Sequence, residues 1–310
     1  MGLARALLGT ASLGGLAGAA VTSYALWEAR QYTLRRLDLR VLPAGMRPLR
    51  VLHLSDIHMT PGQARKQDWL RSLAALRPDL VIDTGDNLAH RAAVPVVLAS
   101  LGGLLDAPGV FVHGSNDYYE PRVRNPFGYL LPDDGKRRTD VPQLPWRELS
   151  SGLSGAGWLD LTNRRASLTV GETTIAFAGV DDPHLSLDDL PAVAGPADPG
   201  ADLRLGVAHA PYLRVLDQFA ADGYDAIVAG HTHGGQVRLP WPGESRAWAT
   251  NCDLEPARAR GLHRHPADSR PGEPGSAWLH VSAGLGTSPY TRIRVACRPE
   301  ASLLTLLPAA

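Results

Sequence analysis

Apolar residues along this chain come in short blocks that end abruptly on polar ones. LRVLHLSD (49–56) predicts a strand ending at Asp56, and DLVIDTGD (79–86) a second ending at Gly85-Asp86. VFVH (110–113) is a third, followed at once by Gly114, Ser115, Asn116 and Asp117. LTNRRASLTVGETTIAFAGV (161–180) predicts a hairpin turning at Gly171-Glu172. LRLGVAHAP (203–211) and YDAIVAGHTH (224–233) each predict a strand that ends in histidine. WLHVSAGLG (278–286) and ASLLTLLP (301–308) close the chain as strands. Between the early strands the period becomes helical. Residues 63–77 set Leu70, Leu73 and Leu76 on one face and stop before Pro78, and 93–106 and 145–158 read as two more helices. Residues 120–145 lose periodicity around a DDGKRR turn and predict a long surface loop. Strands alternating with helices, then hairpins, predict one mixed α/β layered domain over 46–310.

The N-terminus has a different pattern. Ala6 to Trp27 is 22 residues without a charge, long enough to span a bilayer as a helix. Residues 1–27 are therefore expected to be a membrane anchor, with 28–45 as a juncture. A cleaved signal segment, cut at a small-residue site such as Ala17-Gly18-Ala19, is the rival reading and would make the protein secreted. Arg5 precedes the segment and Arg30, Arg35, Arg36 and Arg40 follow it, which leaves the side of the membrane open.

Composition narrows the picture. Lys+Arg and Asp+Glu are 31 each, so nothing in the overall charge points to a nucleic-acid partner. Cys252 and Cys297, the two cysteines, are too few for a disulfide framework or a zinc knuckle. Oligomeric state is not legible.

Five predicted strand ends carry the chemistry: Asp56-x-His58, Gly85-Asp86, Ser115-Asn116-Asp117, His209, and His231-x-His233. In open α/β sheets ligands bind at the carboxyl ends of strands, so these groups can converge. Carboxylates, an amide and imidazoles without a thiol suit divalent Mn, Fe or Zn. Two ions sharing a carboxylate would use the whole set. An isolated Asp-x-His or strand-end His is usually structural; the ordered series is specific.

That series, with VAGHTHGGQVRLP (228–240) as its strongest piece, resembles the calcineurin-like metallophosphoesterases over roughly 48–307. Within them it looks most like the bacterial membrane-associated branch that includes homologues of UDP-2,3-diacylglucosamine hydrolases. The resemblance implies a four-layer αββα sandwich of two mixed β-sheets flanked by helices, here preceded by an N-terminal hydrophobic helix. It implies two divalent metal ions, with Mn2+ favoured over Fe or Zn. Asp56, His58 and His233 would hold one ion, Asp86 would bridge, and His209 and His231 would hold the second with an asparagine. The implied reaction is attack of a metal-bridging hydroxide on a phosphomonoester, phosphodiester or pyrophosphate, with a lipid-linked substrate among the candidates.

The third motif departs from the family. Gly-Asn-His-Asp is usual, with Asn a ligand and His assisting the leaving group, whereas this chain has Gly114-Ser115-Asn116-Asp117. Asn116 is expected to shift and supply the amide ligand, since an amide is the better neutral oxygen donor. Alternatively, Ser115 or water takes that place and Asn116 hydrogen-bonds the phosphate. Asp86 and Asn116 are the catalytic candidates, and no imidazole stands where the family keeps one. A weakly catalytic or non-catalytic metal-binding scaffold is the alternative reading of that loss. His113 reads as a strand residue facing away, and Asp117 as structural. Asp181-Asp182-Pro183-His184 reads as a turn that borders the site or merely the surface. Lys136-Arg137-Arg138 reads as a solvated turn, Arg292 and Arg294 as weak phosphate candidates, and Gln236 and Trp241 as rim residues. Residues 127–146 are a candidate apolar cleft.

Overall fold

The computed structural model describes residues 18–123, 137, 139–239 and 245–309. The expected anchor lies mostly outside the described residues. Residues 18–28 are helical, and no helix among the described residues is long and apolar enough to cross a membrane. Lys136, Arg138, Trp241 and most of the expected apolar cleft also fall outside the description.

The elements run β1 Thr33–Leu42, β2 Leu49–Leu54, α1 Ala64–Ser72, β3 Leu80–Asp83, α2 Val94–Leu101 and β4 Gly109–Phe111. Next come α3 Ser115–Tyr118, α4 Trp146–Gly155, β5 Leu159–Asp160, β6 Arg164–Val170 and β7 Thr173–Gly179. Then follow α5 Leu190–Val193, β8 Leu203–Val207, α6 Leu213–Ala221, β9 Ala226–Ala229, β10 Arg238–Leu239 and β11 Arg246–Ala247. Last are β12 Gly261–His265, β13 Ala277–Val281 and β14 Glu300–Pro308.

Two mixed six-stranded sheets result, ordered β1-β14-β2-β3-β4-β5 and β12-β13-β9-β8-β7-β6. Strands β2 to β5 are parallel, as are β13, β9, β8 and β7. Strand alternation sorts the side chains into layers. Val51, Leu80, Ile82, Val110 and Val112 meet Ile175, Phe177, Leu205 and Val228 in one core between the sheets. Leu52, Leu54, Val81 and Phe111 point the other way, among Leu70, Val97, Leu101, Leu149 and Leu153 of α1, α2 and α4. On the far side Ile227, Leu279 and Val281 pack with Val215, Leu216 and Phe219 of α6. Strands buried on both faces explain why the sequence blocks read as continuous apolar runs.

Two differences from expectation matter for the site. Residues 28–45, expected as a juncture, contribute β1, which pairs in parallel with β14 from Thr33↔Glu300 onward. Strand β1 is charge-rich on its exposed face, and its alternation of Leu37, Leu39 and Val41 with Asp38 and Arg40 is the local mark of a half-buried strand that the juncture reading passes over. Second, Glu28 at the end of the N-terminal helix is buried. It accepts hydrogen bonds from the N–H groups of Ala296 and Cys297 (3.0 and 2.8 Å), while the Arg294 N–H donates to the Ala25 carbonyl.

Candidate metal centre

Parallel strands β2, β3 and β4, and β8 and β9 across the core, all stop at one end of the molecule, and the chain turns sharply after each. Asp56, His58, Asp86, His231 and His233 have positive φ, from 44° at His58 to 66° at His231. For residues with a Cβ this is a sparsely populated conformation, tolerated where surrounding structure over-determines it. Here the determinants are visible. The Asp56 and His58 N–H groups donate to the Gly85 and Asp86 carbonyls (2.8 and 2.9 Å), and the His231 N–H donates to Asp56 Oδ2 (3.0 Å).

The result is a buried cluster. Asp56, His58, Asp86 and His233 each offer a ligand atom within 4.8 Å of the others. His58 Nε2 is 3.2 Å from His233 Nε2 and 3.5 Å from Asp86 Oδ2, and His233 Nε2 is 3.6 Å from Asp56 Oδ1. On the other side of Asp86, Oδ1 lies 3.5 Å from His209 Nε2, which is 3.2 Å from His231 Nδ1. Asn116 closes this side, donating from its backbone N–H to Asp86 Oδ1 (2.7 Å) and from Nδ2 to Asp86 Oδ2 (2.6 Å). All seven sequence-derived candidates therefore come together. Ser115 Oγ, the competing third-motif donor, instead accepts from Asn116 Nδ2 (3.3 Å).

These residues fit a divalent cation. Asp56 Oδ1 is buried without a hydrogen-bond partner, while Asp56 Oδ2 is held by Ser55 Oγ (2.6 Å). Burial drives His58 and His231 well below the usual imidazole range and His233 to about 4, so their ring nitrogens keep lone pairs for a cation. His209 behaves oppositely. Burial opposes its charge, but the Asp86, Asp182 and Asp56 carboxylates outweigh that and raise it to about 9. Burial likewise raises Asp86 to about 7. Buried carboxylates that face one another across the imidazoles are what a cation would relieve. Two rings are oriented from behind, His209 Nδ1 against the Thr84 carbonyl (2.7 Å) and His233 Nδ1 against that of Gly286 (3.2 Å).

Several supporting residues were not singled out by sequence or were assigned elsewhere. Lys66, buried on α1, donates to the Ile57 and His58 carbonyls (2.6 and 3.2 Å), and burial lowers its pKa to about 7. Leu70 sits one turn away on the same face, so the helical pattern held a hint: a Lys on an apolar stripe. Asp117 accepts from the N–H groups of Asp86, Asn87, Leu88 and Gly114, which makes it the clamp of the Asp86 loop. Arg294 does not face a phosphate. It is fully buried and donates to the Ala283 and Gly286 carbonyls (2.7 and 2.6 Å). Gln236, expected on the rim, is buried and donates to the Thr291 carbonyl. His113 faces away from the cluster, with Nε2 2.7 Å from Ser150 Oγ on α4.

Carboxylates and imidazoles gathered at strand ends of a two-sheet α/β fold define a metal-dependent hydrolase of phosphoric esters. Residues 49–235 match the family described as calcineurin-like phosphoesterase, and the chain belongs to that family. The uncharacterized protein YpbG of Bacillus subtilis (strain 168) is 26% identical over 295 residues, covering 92% of this chain and 98% of that one. UDP-2,3-diacylglucosamine pyrophosphatase LpxG of Chlamydia trachomatis is 28% identical over 301 residues and covers 85% of each chain. A transmembrane protein with metallophosphoesterase domain from Bos taurus is 28% identical over 207 residues, 63% of this chain. The match spans only 43% of that longer relative.

Proposed function

We propose that this protein is a binuclear phosphoesterase that cleaves a phosphate-ester or pyrophosphate bond, on a lipid-linked substrate and at a membrane. The observation that carries the two-ion reading is the position of Asp86. Its Oδ2 lies 3.5 Å from His58 Nε2 and its Oδ1 3.5 Å from His209 Nε2, so one carboxylate serves two imidazole clusters. Asp56, His58, Asp86 and His233 would hold one divalent ion, and Asp86, His209, His231 and Asn116 the other. Manganese, iron and zinc all suit a donor set with no thiolate. Bound there, the ions supply Lewis acidity toward the phosphoryl oxygens and acidify a water at neutral pH. The protein's own part is to keep the His58, His231 and His233 imidazoles neutral by burial, to hold Asp86 through the Asp117 clamp, and to present Asn116 beside it. The Asn116 side chain, with Nδ2 on Asp86 Oδ2 and its backbone N–H on Asp86 Oδ1, lies against the shared carboxylate, which favours Asn116 over Ser115 as the third-motif ligand.

Two features support the lipid-linked substrate and the membrane. LpxG by its name acts on a diacylated sugar nucleotide, and it aligns with 85% of this chain. The N-terminal helical segment also exposes Val21, Tyr24, Leu26 and Trp27, continuing the uncharged stretch that begins at Ala6.

The test is hydrolysis of nitrophenyl phosphodiesters and of a nucleotide pyrophosphate by metal-free protein reloaded with Mn2+. Turnover is expected to depend on added metal and to vanish in Asp86→Ala. Full activity in that variant, or after exhaustive chelation, refutes the proposal. Two bound ions per chain with turnover at background on every substrate would favour a metal-binding scaffold.

A further inference from the structure

The family's leaving-group imidazole is absent from the Gly114–Asp117 turn. Asn116 has its side chain on Asp86, and His113 is turned away toward Ser150. A different histidine approaches the cluster from the loop after β7. The His184 ring centroid is 4.4 Å from that of His231, the partner of His209 in the second half of the site. His184 is half-buried, so it stands at the rim.

The loop that carries it is fastened on both sides. The His184 N–H donates to Asp182 Oδ1 (2.9 Å), and the Asp182 carboxylate is buried near His209 and helps raise it. Tyr118 Oη, at the end of the turn that contains Asn116, donates to Asp181 Oδ1 (2.7 Å). A direct hydrogen bond thus ties the third-motif turn to the 181–184 loop.

The orientation of the ring follows from its partners. Arg137 Nη2 donates to Tyr212 Oη (2.7 Å), and Tyr212 Oη is 3.1 Å from His184 Nδ1. Tyr212 Oη thus ties His184 Nδ1 to the Arg137 guanidinium and leaves Nε2 as the ring nitrogen not engaged in that contact. A neutral ring that accepts the phenol proton at Nδ1 carries its own hydrogen on Nε2, where it can donate.

We infer that His184, positioned beside His231 and held at Nδ1 by Tyr212, donates from Nε2 to the leaving-group oxygen in place of the imidazole missing from the third motif. In the hydrolysis, a water oxygen forms the new bond to phosphorus. The bond to the departing oxygen breaks with its electron pair, and one proton from that water ends on the departing oxygen. The Nε2–H bond stabilises the charge that builds there, so it matters most for basic leaving groups.

This inference rests on the binuclear reading above, and the experiment separates the two. Metal-loaded full-length protein and its His184→Ala and Tyr212→Phe variants are compared on methyl phosphodiesters of dinitrophenol, nitrophenol, chlorophenol and phenol. For His184→Ala, kcat/KM should fall ~10²-fold on the phenyl ester and by only a few-fold on the dinitrophenyl ester. Tyr212→Phe should tilt the series in the same direction, but less. Bound metal per chain, measured by elemental analysis, should equal that of the unaltered protein. A loss uniform across the series, no loss at all, or loss of bound metal overturns the role of His184. Hydrolysis surviving in Asp86→Ala would instead remove the reading on which it rests.

Discussion

Gly114 shows how tightly single residues are constrained at this site. A Cβ built there would lie 2.6 Å from His209 Cε1 and would press on the Asp86 carboxylate as well. Gly284 is similar: φ is +69°, and a Cβ would come within 2.5 Å of Asp56 Cβ. The ligand residues leave no room behind them, so packing requires glycine at both positions, and at Gly284 the positive φ requires it as well. Gly114→Ala should displace His209 and Asp86 by a fraction of an ångström. Metal-dependent turnover is expected to drop ~10²-fold, with a stability cost of about 1–3 kcal/mol. Steady-state kinetics beside thermal melting would show this; unchanged turnover would mean the site tolerates the shift. Asp117 is constrained in another way, because its carboxylate accepts four backbone N–H groups around Asp86. Asp117→Ala leaves those donors buried and unpartnered, at about 1–3 kcal/mol for each group that finds no other acceptor. A large loss of stability is the expected outcome, read from urea midpoints.

At the scale of elements, the N-terminal helical segment is more than a lead-in to the domain. Glu28 fixes the turn at Ala296, a non-glycine residue with φ of 51°. That turn carries Cys297, whose Sγ contacts the His233 carbonyl (3.3 Å), and it adjoins Arg294, whose Nη2 lies 3.3 Å from His233 Nδ1. The end of the helix is therefore two contacts away from a metal-ligand candidate. Each charge-assisted hydrogen bond to a buried carboxylate contributes about 1.5–3 kcal/mol. Glu28→Ala should lower the unfolding free energy by about 2 kcal/mol or more and weaken Mn2+ binding, followed by denaturation and by calorimetric titration. Retained affinity in the variant would show that the helix is not coupled to the site.

For the molecule as a whole, the two sheets are joined behind the site by a pair of histidines. His53 Nδ1 on β2 is 2.9 Å from His280 Nδ1 on β13, and His53 Nε2 reaches Thr84 Oγ1 (2.9 Å). Burial lowers His53 well below the normal imidazole value and His280 to about 3. The folded pKa values are depressed, so below about pH 6.5 the unfolded chain binds protons that the folded chain refuses. Stability from this pair is complete above that pH and is lost as pH falls toward 3. Buried Asp83 and Asp182, raised by burial to about 7 and about 6, oppose this trend, so the informative quantity is a difference. In metal-free protein, His280→Asn should make the dependence of unfolding free energy on pH shallower by about 1.4 kcal/mol per unit between about pH 6 and 4. Equal slopes in the two proteins would count against a neutral buried pair.

Most of the strands that build the site were legible from local pattern, because buried parallel strands are written as short apolar runs that stop at polar residues. Asp56, His58, Asp86, His209, His231 and His233 were legible for the same reason: each lies where such a run ends. Strand β1 and helix α6 were not read. The local mark of β1 is one short alternation, its partner lies more than two hundred residues away, and the LRVLDQFAA of α6 is a brief helix between two stronger signals. The residue types and the order of the strand ends, and hence the class of chemistry, were in the sequence by itself. Which face each polar side chain turns to was decided only by tertiary structure, since it depends on neighbours brought in from distant strands. So Arg294 became a buried brace, Asn116 met Asp86, and His184 arrived beside His231.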